Sequence, residues 1–211
     1  MSSLTRKERE KAEHKRGILL AAEEVFGAHG YYSATVQQIA DRAEFSVGYL
    51  YSLFASKEEL YTELLDMRIS QYMDEFEEVL ARANGALEKL RAAIRMKFDF
   101  FNRHRRFFSI FSHLHTGEGE GDSIWLPAPC WRRYREFVAR MAKVFAAGIE
   151  EGVFADEDPV TLVLCAEGVT GGVIDYWLHA GHDATDEKAP EVVERVLLRG
   201  ILAEGRDDER A

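Results

Sequence analysis

Residues 35–60 read TVQQIADRAEFSVGYLYSLFASKEEL, and the spacing of hydroxyl, amide and apolar side chains in that run decides the fold. Thr35-Val36-Gln37-Gln38 has the form of a capping box, in which the Thr35 hydroxyl and the Gln38 amide satisfy opposite orphan N–H groups of a helix start. A short helix follows, with Val36, Ile39, Ala40 and Ala43 on its inward face. After Glu44-Phe45, Ser46 is a second N-cap and opens a helix that can run only from Val47 to Phe54. Two helices joined by so tight a connection make a helix-turn-helix. Ser56-Lys57-Glu58-Glu59 repeats the capping box, so a further helix starts at once and continues through Leu60, Leu64 and Met67 to about Leu80.

Outward from this run, apolar residues recur at helical spacing almost everywhere. Ile18, Leu19, Ala22, Val25 and Phe26 form one stripe, on a helix expected over 12–28 and stopped near His29-Gly30. Leu87, Leu90, Ile94, Phe98 and Phe101 form another, on a helix over 86–102 that begins after Asn84-Gly85. Further helices are expected over 104–114, from Pro129 to Gly152, from Asp158-Pro159 to Gly181, and over 190–203. Thr116-Gly-Glu-Gly-Glu-Gly-Asp122 is too Gly-rich and acidic to pack and reads as a loop, and the tail GRDDERA as a frayed end. Sustained period-two alternation is absent. The expected fold is all-α with about nine helices: an N-terminal three-helix helix-turn-helix domain over 1–60 and a larger helical domain over 61–211.

The chain has 211 residues, 46% of them hydrophobic and 30% charged, enough apolar side chain for a real core and too much for a disordered chain. A formal net charge of -10 argues against a protein that coats nucleic acid or acidic membrane without specificity, although a local DNA-reading surface is compatible with it. That charge is unevenly spread: residues 1–60 carry a net -1 and the remainder -9, while the first 20 hold six basic residues against three acidic ones. A basic segment with Arg6, Lys7, Arg9 and Lys11 reads equally as an arm for phosphate or as a solvated helix start. No apolar run is long enough for a bilayer span and the first residues have no apolar signal core, so a cytoplasmic location without membrane attachment is expected. Cys130 and Cys165 alone make no disulfide framework.

On the helix over 47–54, Leu50 and Phe54 anchor inward while Gly48, Tyr49 and Ser52 point away. Gly allows close backbone approach, Tyr offers a ring and a hydroxyl, and the N–H groups of a helix start favour phosphate oxygens. Residues 15–61, KRGILLAAEEVFGAHGYYSATVQQIADRAEFSVGYLYSLFASKEELY, resemble the DNA-binding domain of the tetracycline-repressor (TetR) family of transcriptional regulators. The matching positions are Phe26-Gly27, Gly30-Tyr31, Thr35-Val36, Ile39-Ala40, Ser46, Gly48, Leu50-Tyr51, Phe54 and Ser56-Lys57-Glu58-Glu59-Leu60. Glu44 stands where the family usually has the turn Gly, and Leu53 where it often has His.

The resemblance implies a homodimer that places its recognition helices in successive major grooves of a double-stranded, palindromic operator, and a small-molecule effector bound in the larger domain. On that basis Tyr49 and Ser52 are candidates for base edges, Gly48 and Tyr51 for close backbone contact, and Thr35 and Lys57 for phosphate. Gln37, Ser46 and Val47 complete the expected DNA-binding set. Gly inside a helix is costly, so Gly168, Gly171 and Gly172 on one helix and Gly200 on the next point to close helix approach. In the family these helices form a four-helix dimer interface, which here implies Gly168, Gly171, Gly172, Val193, Val196, Leu197 and Ile201.

Six Phe lie between positions 98 and 111, more than one helical stripe requires. Phe98, Phe101, Phe108 and Phe111, with Trp125, Trp131, Met141 and Trp177, are therefore expected to line a cavity for an apolar effector. The same side chains one by one also suit plain core packing. An enzyme would use His104, His113 or Glu167 as acid or base, but no set of nucleophile, base and orienting group is legible, and neither a catalytic role nor a cofactor is expected. His179 and His182, or His113 and His115, lack the spacing of a metal site, and no metal is expected. The function expected is ligand-responsive repression of transcription, with a helical interaction module that has lost DNA binding as the alternative.

Overall fold

The computed structural model describes residues 5–116, 127–179 and 188–202, the side chains of 111–116 excepted; the expected Gly-rich loop after Thr116 and the C-terminal tail lie outside these residues. Nine helices make up the described chain: α1 (Arg6–Ser33), α2 (Val36–Ala43), α3 (Val47–Leu53), α4 (Lys57–Arg82), α5 (Gly85–Arg103), α6 (Arg105–Thr116), α7 (Ala128–Glu150), α8 (Pro159–His179) and α9 (Ala189–Ile201). An all-α fold is what the periodicity requires. The one pairing outside helices, among described residues, is an isolated antiparallel bridge from Phe154 to Leu202, beside which the Ala155 N–H donates to the Ile201 carbonyl at 2.8 Å.

Helix α1 begins six residues before its expected start because Thr5 caps it. The Thr5 hydroxyl accepts from the Glu8 N–H, and Glu8 accepts from the Thr5 N–H at 2.7 Å. The basic N-terminal segment is thus helical, with Arg6 paired to Glu10 at 2.8 Å one turn on. The other end keeps the expected break, for Gly30 leaves helical geometry at φ 72°, ψ 166°, and the chain resumes a last turn to Ser33. Thr35 and Gln38 form the expected capping box, and Ser46 accepts from the Tyr49 N–H at 3.1 Å.

Two compact units divide the chain. The first holds α1–α3, α4 through Ile69 and α6 from Arg106; the second holds the rest of α4, α5 and α7–α9. In the first, Ile18, Phe26, Ile39, Leu50, Leu60 and Leu64 are fully buried, and the Glu23 carboxylate and Arg68 guanidinium form a buried ion pair from α1 to α4. Gly27 lies under the Arg106 side chain, where a Cβ would stand 3.3 Å from that of Arg106. The second is built on Phe76, Phe98, Phe100, Phe101, Phe145 and Phe154. Its tightest joint is Gly148 of α7, where a Cβ would come within 2.2 Å of the Phe154 ring and 2.8 Å of Ala86.

Candidate nucleic-acid interface and effector cavity

In the first unit, Leu50 and Phe54 are buried and hold α3 by one face, leaving Gly48, Tyr51 and Ser52 exposed on the other. Space around Gly48 is open. Ser52 donates its hydroxyl proton to the Tyr49 carbonyl at 2.6 Å, Ser46 and Thr35 sit exposed at the starts of α3 and α2, and Val47 is half-buried. Gln37 is exposed and donates its amide to Asp41 at 2.7 Å.

Tyr49 and Lys57 are more constrained than their sequence positions suggest. Tyr49 is half-buried, its hydroxyl 2.8 Å from Nδ1 of His14 and its ring 5.1 Å from that of Phe45. His14 closes the cluster at 4.9 Å from Phe45. The Lys57 ammonium donates to the carbonyls of Tyr31 (2.9 Å) and Ala34 (3.0 Å), with Tyr32 at 3.4 Å, and lies 4.5 Å from the centre of the Tyr31 ring. Burial pulls its pKa below the usual lysine value. Lys57 therefore closes the end of α1, whose last carbonyls have no helical partner. His14 and Phe45 were not singled out from sequence; the available signal is that His14 precedes the buried Ile18 by one turn.

The turn between α2 and α3 is made by Glu44 at φ 60°, ψ 35°, the only non-glycine residue with positive φ among the described residues. Its N–H and that of Phe45 close the end of α2 onto Asp41 and Ala40. The position demands the left-handed region, so the departure from the family's usual Gly places a strained residue there.

The second unit holds a partly open cavity of about 20 Å³, room for roughly one water. Tyr72 from α4, Leu90, Ala93, Ile94 and Lys97 from α5, Phe137 and Met141 from α7, and Val163, Ala166, Glu167 and Thr170 from α8 line it. One end is charged. The buried Lys97 ammonium donates to Glu167 Oε1 at 2.9 Å and to Thr170 Oγ1 at 2.7 Å, and the Thr170 hydroxyl gives its own proton to the Ala166 carbonyl at 2.8 Å. Burial, then the charge of Glu167, pushes the Tyr72 phenol well above its ordinary pKa; the same two causes raise Tyr134.

Of the residues expected to line a cavity, Met141 does so. Phe98 and Phe101 instead pack on Trp177, with ring centres 5.5 and 5.8 Å apart, as filled core. Phe108 belongs to the other unit, beside Phe107, and Trp131 is exposed with its edge on Tyr134. Trp125 lies outside the described residues, as does the side chain of Phe111. The physical reason is that abundant rings fill space against one another; the cavity lies instead at the Lys97–Glu167 pair.

The enzyme candidates are also placed. His104 packs with a tilted ring on Phe100 at 4.4 Å and shares a hydrogen bond with Gln71 at 3.3 Å, while Glu167 is the partner of Lys97. The His113 and His115 side chains and His182 lie outside the described part; His179 Nδ1 is 2.8 Å from the Asp175 carbonyl. Among the described residues no three His, Cys, Asp or Glu side chains converge as metal ligands, and no helix is long and apolar enough to cross a membrane.

On α8, Val160, Leu164, Gly168, Gly172 and Tyr176 follow at intervals of four, and all are exposed. On α9, Val192, Val196 and Gly200 do the same. Among the described residues nothing lies within 4 Å of a Cβ built at Gly168, Gly171, Gly172 or Gly200, so these glycines make room for no described neighbour. Val193, Leu197 and Ile201, expected at a dimer interface, are buried in their own unit. Helix α9 is apolar on two faces, and its outward row is displaced by one residue from the expected one, Val196 alone belonging to both.

A three-helix head with a short, exposed second helix of a helix-turn-helix, joined in sequence to an all-helical unit with a polar-ended cavity, defines a DNA-binding transcriptional regulator that senses a ligand. Residues 18–64 match the family model of bacterial regulatory proteins, tetR family. Over 89 residues the chain is 38% identical to the transcriptional activator FasR of Mycolicibacterium smegmatis, a match covering 42% of this chain and 41% of FasR. It is 26% identical to the transcriptional repressor KstR2 of Mycobacterium tuberculosis, over 90% of this chain and 94% of that protein. The structure of Bacillus subtilis FadR in complex with stearoyl-CoA superposes with a TM-score of 0.77 at 19% identity, covering 88% of this chain and 98% of that one, a likeness of fold. Residues 18–64 therefore carry a DNA-binding domain of the tetR type, and relatives that match the chain along most of its length, such as KstR2, bear the names of transcriptional regulators.

Proposed function

We propose that this chain is a cytoplasmic repressor that leaves a palindromic operator when a small, mainly apolar effector enters the cavity between α5, α7 and α8. The observation that carries the reading is the cavity itself: a partly open, mainly apolar cavity with one part-buried ion pair, inside the unit whose outward α8–α9 rows are exposed. KstR2 bears the name of a repressor and FadR holds a long acyl thioester, which supports repression and an apolar effector. Residues 1–60 would read DNA and residues 61–211 would sense the effector and dimerise.

In the DNA-bound state the exposed Gly48, Tyr51 and Ser52 of α3, with Val47 and Tyr49, face the major groove. Thr35 and Ser46 present helix starts to phosphate, with Gln37 and Lys57 beside them. Two copies of α3 must then approach roughly 34 Å, one turn of DNA. An effector acts only through unequal affinity for the two arrangements of the dimer. Selection of bound sequences from a random duplex pool tests the reading. A palindromic consensus with half-sites one turn apart is expected, and its release by apolar compounds that raise the melting temperature completes the proof; a pool without enrichment, or ligands that stabilise the protein and leave the operator bound, overturns it.

A further inference from the structure

The cavity in the second unit holds a charge pair of unequal burial. The Lys97 side chain retains 10% of its exposure and that of Glu167 24%. Lys97 is also held by Thr170, and because the Thr170 proton is spent on the Ala166 carbonyl, that hydroxyl can only accept from the ammonium. Glu167 depends on Lys97 for its ion pair and stands nearer to solvent. In any exchange of partners, the carboxylate is the member that leaves.

An anionic ligand entering an apolar enclosure faces a large desolvation cost unless a buried cation is already there to receive it. Lys97 is such a cation, and it is neutralised at rest by a carboxylate that can swing outward. A ligand carboxylate that takes the place of Glu167 leaves the charge balance of the cavity unchanged and returns Glu167 to water. A neutral ligand can take at most a hydrogen bond from Lys97 and cannot replace the charge of Glu167, and a cationic one would have to expel the more deeply held partner. Tyr72 also lines the cavity, and its phenol is a hydrogen-bond donor at neutral pH.

We propose that the cavity takes an apolar monocarboxylic acid, whose carboxylate displaces Glu167 from Lys97 while its hydrocarbon part lies among Leu90, Ile94, Phe137 and Met141. The inference rests on the reading of this cavity as the effector site and names the ligand's chemistry. It also assigns the event that the ligand causes: α8 loses its ion pair to α5, and the side chain released belongs to a helix that carries an exposed glycine row. The resting volume admits about one water, so entry of the acid requires the same opening that breaks the pair.

Titration calorimetry and melting curves on the full chain with octanoate, octan-1-ol, octylamine and octanoyl-CoA test this. Octanoate is expected to bind more tightly than octanol by about ten- to a hundredfold, the worth of a hydrogen bond to a charged group. Lys97→Met should erase that preference while keeping octanol binding. Glu167→Gln should tighten octanoate, because the competitor for Lys97 is gone. Equal affinity for acid and alcohol, tighter binding of the amine or the thioester, weaker octanoate binding in Glu167→Gln, or no binding by any of the four overturns the proposal. The Glu167→Gln arm decides the matter even where Lys97→Met does not fold. Octanoate binding with the expected dependence on Lys97 and Glu167, but with operator affinity unchanged, would uphold the acid site and remove the effector reading instead.

Discussion

Glu44 is the residue at which local chemistry and fold disagree. Its backbone lies at φ 60°, ψ 35°, a region in which an L side chain with a Cβ is strained by about 1–2 kcal/mol. Glu44→Gly removes that strain and gives back part of the gain through the freer unfolded chain, leaving a net stabilisation of about 0.5–1 kcal/mol. A higher urea midpoint with an unchanged slope is the expected reading, and an unchanged midpoint would show that the turn tolerates Glu without strain. Lys57 is the opposite case, a charge whose protons are taken up by the fold. With carbonyls of Tyr31 and Ala34 as acceptors at 2.9 and 3.0 Å, Lys57→Met leaves them without their donor and should cost about 1–2 kcal/mol in the absence of DNA. Were the residue used for phosphate alone, melting without DNA would not change and the only effect would be a reduced salt dependence of binding.

At the scale of elements, the second unit is fastened by ion pairs between helices. Glu75 of α4 accepts from Arg103 of α5 at 3.1 Å and from Gln71 one turn earlier at 3.2 Å. The Arg103 hydrogen bond holds the Glu75 carboxyl below its ordinary value of 4.5, and Arg140 does the same for Glu77. A carboxyl with a depressed pKa in the folded state binds protons more readily when unfolded. Its contribution is therefore complete above pH 4.5 and is lost as the pH falls through that value toward the lower folded pKa. Glu75→Gln should lower the melting temperature at neutral pH and flatten its fall below pH 4.5. Equal pH dependence in both proteins would assign the acid sensitivity to other groups. Both pairs are partly exposed, so the effect should also shrink in salt.

For the whole molecule, the question is what covers α8 and α9. A helix with Val160, Leu164 and Tyr176 exposed alongside Gly168 and Gly172 presents apolar area with shallow places where another backbone can approach. Since nothing lies within 4 Å of a Cβ at Gly172, Gly172→Leu leaves the interior of the subunit undisturbed. In a dimer joined through this face it overpacks the contact, at a cost of about 1–3 kcal/mol. Sedimentation at falling concentration should show monomer appearing earlier in Gly172→Leu, with helicity by circular dichroism unchanged. A dimer of undiminished affinity would move the interface to another surface. Weaker operator binding should accompany dissociation, because two half-sites are then engaged separately.

Local sequence determined the helices, their breaks and the head of the molecule. The capping box at Thr35, the N-caps Ser46 and Ser56, and the break at Gly30 act within a few residues of themselves, so the helix-turn-helix and its outward Gly48 and Ser52 were legible from residues 35–60 alone, whereas Tyr49, expected outward with them, is half-buried against His14 and Phe45. Thr5 was legible by the same rule once its Glu8 partner is noticed. Tertiary structure decided what long-range packing decides. Lys97, which in sequence looks like any helical lysine, proved to be a buried cation, because Glu167 and Thr170 meet it from 70 and 73 residues away. The aromatic run over 98–111 suggested a cavity, yet Phe98 and Phe101 fill their space against Trp177, and the void lies instead beside the Lys97–Glu167 pair. The outward row of α9 was likewise expected at Val193, Val196, Leu197 and Ile201, yet in a helix packed on α5 and α8 Val193, Leu197 and Ile201 are buried and Val192 and Val196 are bare. Helix periodicity says which residues share a face; only the neighbours of that helix say which face is buried.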